Sequence, residues 1–168
     1  MTFNKQLLSM LIGGALATAA SAQTVRIANQ GDALSLDPHS LNESLQLSVD
    51  SNAYEALVGW NKKLEMVPML ATSWKQSSPT VWRFELRKGV QFHDGTPFTA
   101  DDVLFTLGRI MADGSDMKSY GTDIKESRKI DSHTVEIETK APQPILPQIL
   151  SQVYIMSQKW CEANNAVK

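Results

Sequence analysis

The stretch TVWRFELRKGVQFHDGTPFTADDVLFTLGRI, residues 80–110, decides the fold, because its hydrophobic period changes part-way along. Trp82, Phe84 and Leu86 share one face and Val81, Arg83, Glu85 and Arg87 the other, which predicts a half-buried antiparallel strand with a wet, charged side. Further on, Val103, Leu107 and Ile110, with Leu104 and Met111, recur at helical spacing and predict a buried stripe. Thr99 suits the N-cap of that helix, and Asp102, three residues later, suits a shortened capping box. Asp101 and Asp102 also lie where the helix dipole favours negative charge, and Arg109 lies near the opposite end. Between the two elements, Asp94-Gly95 ahead of Thr96-Pro97 reads as a turn.

Working outward, residues 71–87 form a predicted hairpin, with Ser77-Ser78-Pro79 as its turn and residues 80–87 as the returning strand. Before it, residues 57–60 and 64–67 flank Asn61-Lys62-Lys63 and predict a shorter hairpin that Pro68 ends. Leu45, Val49, Ala53 and Leu57, with Tyr54 beside them, give an apolar face to a helix starting near Asn42. Residues 25–28 read as a buried strand running into a loop that closes at Asp37-Pro38. Past the central helix, residues 112–122 are polar and rich in Gly, Asp and Ser, so a mobile loop is expected there. Residues 124–130 and 134–139 bracket Asp131-Ser132-His133 as another hairpin, with Val135 and Ile137 facing in. Pro142, Pro144 and Pro147 then leave room for one short helix, residues 146–150, before the apolar run 153–156.

The chemistry-bearing residues find structural explanations first. An imidazole oriented by a carboxylate can activate a serine, but neighbours on an extended segment point to opposite faces, so His93 and Asp94 are poorly placed to pair. No Gly-x-Ser-x-Gly elbow is present. His39, His93 and His133 lie on three separate loops and have no metal-ligand spacing. Asp113-Gly114-Ser115-Asp116 lacks the length and the Glu of a calcium loop. These readings predict no catalytic residue, no metal site and no cofactor.

Composition limits the partners. The 168 residues are 42% hydrophobic with a formal charge of −2, which affords a core but no basic stripe for nucleic acid. Cys161 is the only cysteine, so no intrachain disulfide or Cys-based metal site can form. At the start, Lys5, the apolar run 7–20 and Ala20-Ser21-Ala22 have the three parts of a secretory signal peptide, with cleavage expected after Ala22. The run is shorter than a bilayer span needs, and no cysteine ends it to accept a lipid. A protein secreted to a periplasm is expected.

The run WRFELRKGVQFHDGTPFTADDV, residues 82–103, closely resembles the signature of the family 5 extracellular solute-binding proteins, the peptide-binding components of ABC importers. Ser35-Leu36-Asp37-Pro38-His39, Tyr54-Glu55-Ala56-Leu57-Val58 and Pro68-Met69-Leu70-Ala71-Thr72-Ser73-Trp74 resemble further segments of that family, in order. The resemblance implies an α/β, type II two-lobe periplasmic-binding-protein fold, of which this chain would be an amino-terminal part. Residues 1–22 would be the signal peptide, 23–42 the opening strand and loop of lobe I, and 43–168 the small β-rich subdomain and the start of the return to lobe I.

It also implies a monomer and no enzyme, capturing a peptide ligand and docking on the permease subunits of the inner membrane. Relatives that carry nickel chelates, haem or sugars offer an alternative ligand, and a secreted hydrolase would be an alternative of another class. By alignment with oligopeptide-binding relatives, Asp32, Ala33 and Leu34 are the residues expected to touch ligand backbone. The signature itself would be scaffold.

Overall fold

The computed structural model describes Arg26 and residues 28–167. The chain divides into two units, Met1–Gln30 and Gly31–Lys168. In the first, Arg26 and residues 28–30 are described and carry no helix or strand. The expected signal segment and the core of the expected strand 25–28 lie outside the described residues.

The second unit is built on a four-stranded antiparallel sheet of order β3-β4-β6-β5, formed by β3 (Ala71–Ser78), β4 (Val81–Leu86), β5 (Ile124–Asp131) and β6 (Thr134–Thr139). The expected alternation of β4 is observed: Trp82, Phe84 and Leu86 are buried, while Val81, Arg83 and Glu85 are half-buried on the other face. Phe84 pairs with Val135, and Trp82 pairs with Ile137 and donates its indole N–H to the Gln143 carbonyl at 2.9 Å. On the wet face the register sets Arg83 and Arg128 opposite Glu136, giving ion pairs of 3.7 Å each. Such exposed pairs contribute little, typically ~0–1 kcal/mol each. The β3–β4 turn sits at Pro79-Thr80, one residue later than expected, so β4 begins at Val81.

Against the sheet lies the central helix, here α2 (Ala100–Arg109), with both halves of its capping box formed at Thr99 and Asp102. Val103, Leu107 and Ile110 join Phe84, Leu86, Val135 and Ile137 in one core. Met111 does not; it follows the helix and is exposed. The 92–95 turn closes with the Gly95 N–H on the Phe92 carbonyl at 2.9 Å, and Gly95 takes φ +81, a conformation that costs a side-chain-bearing residue.

The short hairpin is present as β1 (Val58–Trp60) and β2 (Met66–Pro68). Its tip places Leu64 at φ 61, the left-handed position that follows a tight turn. The expected helix near Asn42 exists as α1 (Ser44–Asp50), capped by Glu43, whose carboxylate accepts from the Leu45 and Gln46 N–H groups. It ends before Ala53 and Leu57, and its buried residues are Gln46 and Asp50 rather than Leu45 and Val49.

Residues 112–122 are not simply a loop. They contain α3 (Lys118–Gly121), pinned by the fully buried Met117. The Pro-delimited α4 (Leu146–Leu150) matches its expected bounds. Helix α5 (Gln158–Ala163) was not foreseen; its start is held by Asp102, whose Oδ1 accepts the Gln158 N–H at 3.0 Å. No described helix is long and apolar enough to cross a membrane.

Candidate functional site

Residues 31–40 form a loop secured almost wholly by polar bonds. The Asp32 carboxylate accepts the neighbouring Ala33 N–H at 2.8 Å. Gln46, projecting from α1, accepts the Leu34 and Ser35 N–H groups on one oxygen at 3.1 and 3.3 Å. Its amide nitrogen donates to the Ser35 carbonyl and to Asp50 Oδ2. The Tyr54 hydroxyl donates to the Leu36 carbonyl at 2.9 Å. With the backbone so held, the side chains of Leu34 and Leu36 are 84% and 69% exposed.

The next residues anchor the loop to α2. Arg109 reaches Asp37 with two nitrogens, at 2.5 and 2.9 Å, and donates to His39 Nδ1 at 2.9 Å and to the Ala166 carbonyl at 2.9 Å. Because Nδ1 faces a guanidinium, it is the accepting nitrogen, and His39 Nε2 donates to the Tyr154 carbonyl at 3.0 Å. Burial and the adjacent Arg109 charge outweigh the Tyr154 contact and push the His39 pKa down to about 4, so the ring is neutral at pH 7. Burial alone would raise Asp37. The Arg109 and His39 hydrogen bonds and the Arg109 charge reverse that and hold its carboxyl below the ordinary range. The acid Asp50 is 1% exposed, and burial raises its pKa against the opposing Gln46 hydrogen bond.

Asp32, Ala33 and Leu34 thus lie on a surface loop, and the structure places the buried Gln46 directly behind it. The other candidate chemistry dissolves into structure. Asp94 accepts both the N–H and the hydroxyl of Thr96, at 2.9 and 2.6 Å, and those bonds hold its pKa low. His93 is exposed. His133 sits in its turn, its N–H bound to Asp131 and its ring to Ser132. With both ring nitrogens of His39 engaged, the three histidines do not converge, and no metal-holding cluster occurs among the described residues. The sequence reading missed Gln46, Asp50 and the Arg109–His39 contact. The one signal was two polar residues four apart on a short helix.

Beside the turn that follows α1, a cleft of about 740 Å³ opens between residues 51–55, 87–94 and 155–161. Tyr54, Phe92, Met156 and the half-exposed Trp160 line it.

Residues 65–167 match the family model of the bacterial extracellular solute-binding proteins, family 5 Middle. The chain belongs to that family. It is therefore similar to binding proteins and not to enzymes. The glutathione-binding protein GsiB of Escherichia coli (strain K12) is 31% identical over 136 residues, covering 79% of this chain and 27% of GsiB. The periplasmic oligopeptide-binding protein OppA of the same organism is 26% identical over 180 residues, covering 89% of this chain and 33% of OppA.

Among solved structures, the periplasmic binding protein DppA from Helicobacter pylori, in complex with the peptide STSA, superposes with a TM-score of 0.67 at 27% identity. The match covers 81% of this chain and 32% of that one. The family 5 chain described here has the fold of part of a type II periplasmic binding protein and spans about a third of the length of these relatives.

Proposed function

We propose that this family 5 chain belongs to a periplasmic protein that captures peptides and delivers them to the permease subunits of an inner-membrane ABC importer. The observation that carries the proposal is the exposed 32–34 loop with its backbone fixed from behind by Gln46, in a family whose relatives are named for binding oligopeptides and glutathione. Asp32, Ala33 and Leu34 would meet the ligand through main-chain hydrogen bonds, a mode that gives affinity to an extended peptide with little demand on its side chains. Residues 1–22 would direct export and be removed after Ala22, 23–42 would open lobe I, and 43–168 would form the small β-rich subdomain and the start of the return to lobe I. The protein would act as a monomer without a cofactor, and the signature 82–103 would serve as scaffold.

The test is a thermal-shift panel on the polypeptide as purified from its native source, with di- and oligopeptides, nickel chelates and haem. A binder at about 100 times its Kd is stabilised by about 2.7 kcal/mol. A shift with peptides, reduced by Leu34→Gly and Ala33→Pro, is the expected outcome. A shift confined to nickel chelates or haem, or no shift with any of them, overturns the proposal.

A further inference from the structure

We infer that Gln46, oriented by Asp50, is the positioning residue of the 32–34 loop, and that Gln46 and the Asp32 side chain together leave Ala33 and Leu34 only backbone carbonyls with which to meet a ligand. The ligand half of this inference rests on the proposed role of residues 32–34. The positioning half does not.

A glutamine amide has two lone pairs and two N–H groups, and in Gln46 all four are engaged. The oxygen accepts from Leu34 and Ser35, and the nitrogen donates to Ser35 and Asp50. Turning the amide over would set its NH₂ against two N–H donors and its oxygen against two oxygens, so a single orientation survives. Asp50 lies one helical turn beyond Gln46 and is the group that selects this orientation from the helix side, at 2.8 Å. Its second oxygen, Oδ1, is buried with no hydrogen-bond partner among the described residues. A buried carboxylate oxygen left bare is destabilising, so Asp50 is not there as a stabilising group in its own right; its contact in the fold is the Gln46 amide.

The consequence for recognition follows from counting donors. Ala33 N–H is taken by Asp32, and the Leu34 and Ser35 N–H groups are taken by Gln46. Among the described residues, the carbonyls of Asp32, Ala33 and Leu34 accept no hydrogen bond. Ala33 and Leu34 therefore offer acceptors, and the ligand groups that fit them are the N–H donors of peptide amides. A carboxylate finds no backbone donor at Ala33 or Leu34.

Amide hydrogen exchange on this chain, without ligand, tests the positioning. The amides of residues 33–35 are expected to be protected although they lie in a surface loop, and exchange at unprotected rates overturns the inference. Gln46→Met, which keeps the shape and removes the polar atoms, should speed exchange at Leu34 and Ser35 about tenfold or more. The amides of Phe84 and Val135 in the sheet should not change. Should Gln46→Met fail to fold, the Asp50 pair decides: Asp50→Asn keeps an acceptor for Gln46 and should preserve the protection, whereas Asp50→Leu should lose it. Equal protection in both variants overturns the role of Asp50.

For the ligand half, trialanine is compared with trialanine methylated at its amide nitrogens in thermal shift. Loss of the shift on methylation supports donor recognition, and equal shifts overturn it. Protected loop amides with no shift from either peptide would overturn the proposed role of residues 32–34 while leaving Gln46 as the loop's support.

Discussion

The sheet-and-helix body and the 31–50 segment meet the same demand, a fixed backbone, by opposite means. In the body, Phe84, Val135, Ile137, Val103 and Ile110 are fully buried apolar groups, and nothing polar is needed to order them. In the 31–50 segment Pro38 is buried together with His39, Gln46 and Asp50, and these last three are ordered by directional bonds to Arg109, Tyr154 and the loop backbone. Apolar packing tolerates exchange of one hydrocarbon for another of similar volume. A buried polar network does not, because each deletion strands a partner. The segment that carries the candidate contact residues is therefore the one whose conformation is most narrowly specified.

The largest expected effect tests the body. Phe84→Ala removes a wholly buried ring between β4, β6 and α2 and should cost about 3–5 kcal/mol in denaturant unfolding. A loss under about 1 kcal/mol would mean that packing is not what holds the sheet to the helix.

The segment should respond to acid chiefly through His39. His39 has an ordinary pKa of 6.5 and a folded value of about 4. Between these values the unfolded chain binds a proton that the folded chain refuses, so stability falls as pH drops, by up to about 3 kcal/mol. Asp37 acts in the same direction lower down, its contribution fading below 3.8. Asp50 and Asp102, both raised by burial, act oppositely, since their contribution is lost as pH rises through their folded values. Urea titrations from pH 7 to pH 4 on the protein and on His39→Gln should show the slope flattened in the variant. An unchanged slope would assign the acid sensitivity elsewhere.

Arg109→Met sharpens the contrast, since it leaves the half-exposed Asp37 with only the His39 N–H as donor and strips the buried His39 Nδ1 of its donor. The expected cost is about 2–3 kcal/mol, with amide protection lost in the loop before the sheet. Equal loss across both regions would show that the two are one cooperative unit. The smallest effect is a gain: Leu64→Gly relieves a left-handed residue in an exposed hairpin tip and should add about 0.5–1 kcal/mol, read as a higher thermal midpoint.

What could be read in advance follows the same division. The alternation of Trp82, Phe84 and Leu86, the capping box of Thr99 and Asp102, and the Pro-bounded helix at 146–150 were legible because each depends on neighbours a few residues away. The boundaries that slipped did so for local reasons: the β3–β4 turn moved by one residue, and α1 stopped at Asp50 where the apolar pattern ran on to Leu57. The buried face of α1 was misread because Leu45 and Val49 look like core, while Gln46 and Asp50 look like surface until a loop backbone is laid over them.

The sequence by itself determined the strand-turn-helix scaffold and the family, because hydrophobic period, caps and turns are properties of short windows. Only the tertiary structure decided that Arg109 serves Asp37 and His39 across 72 and 70 positions of chain, and that Gln46 takes up the loop amides from 12 and 11 positions away. A buried polar group has a role only once its partners are in place, and chain folding alone brings those partners together.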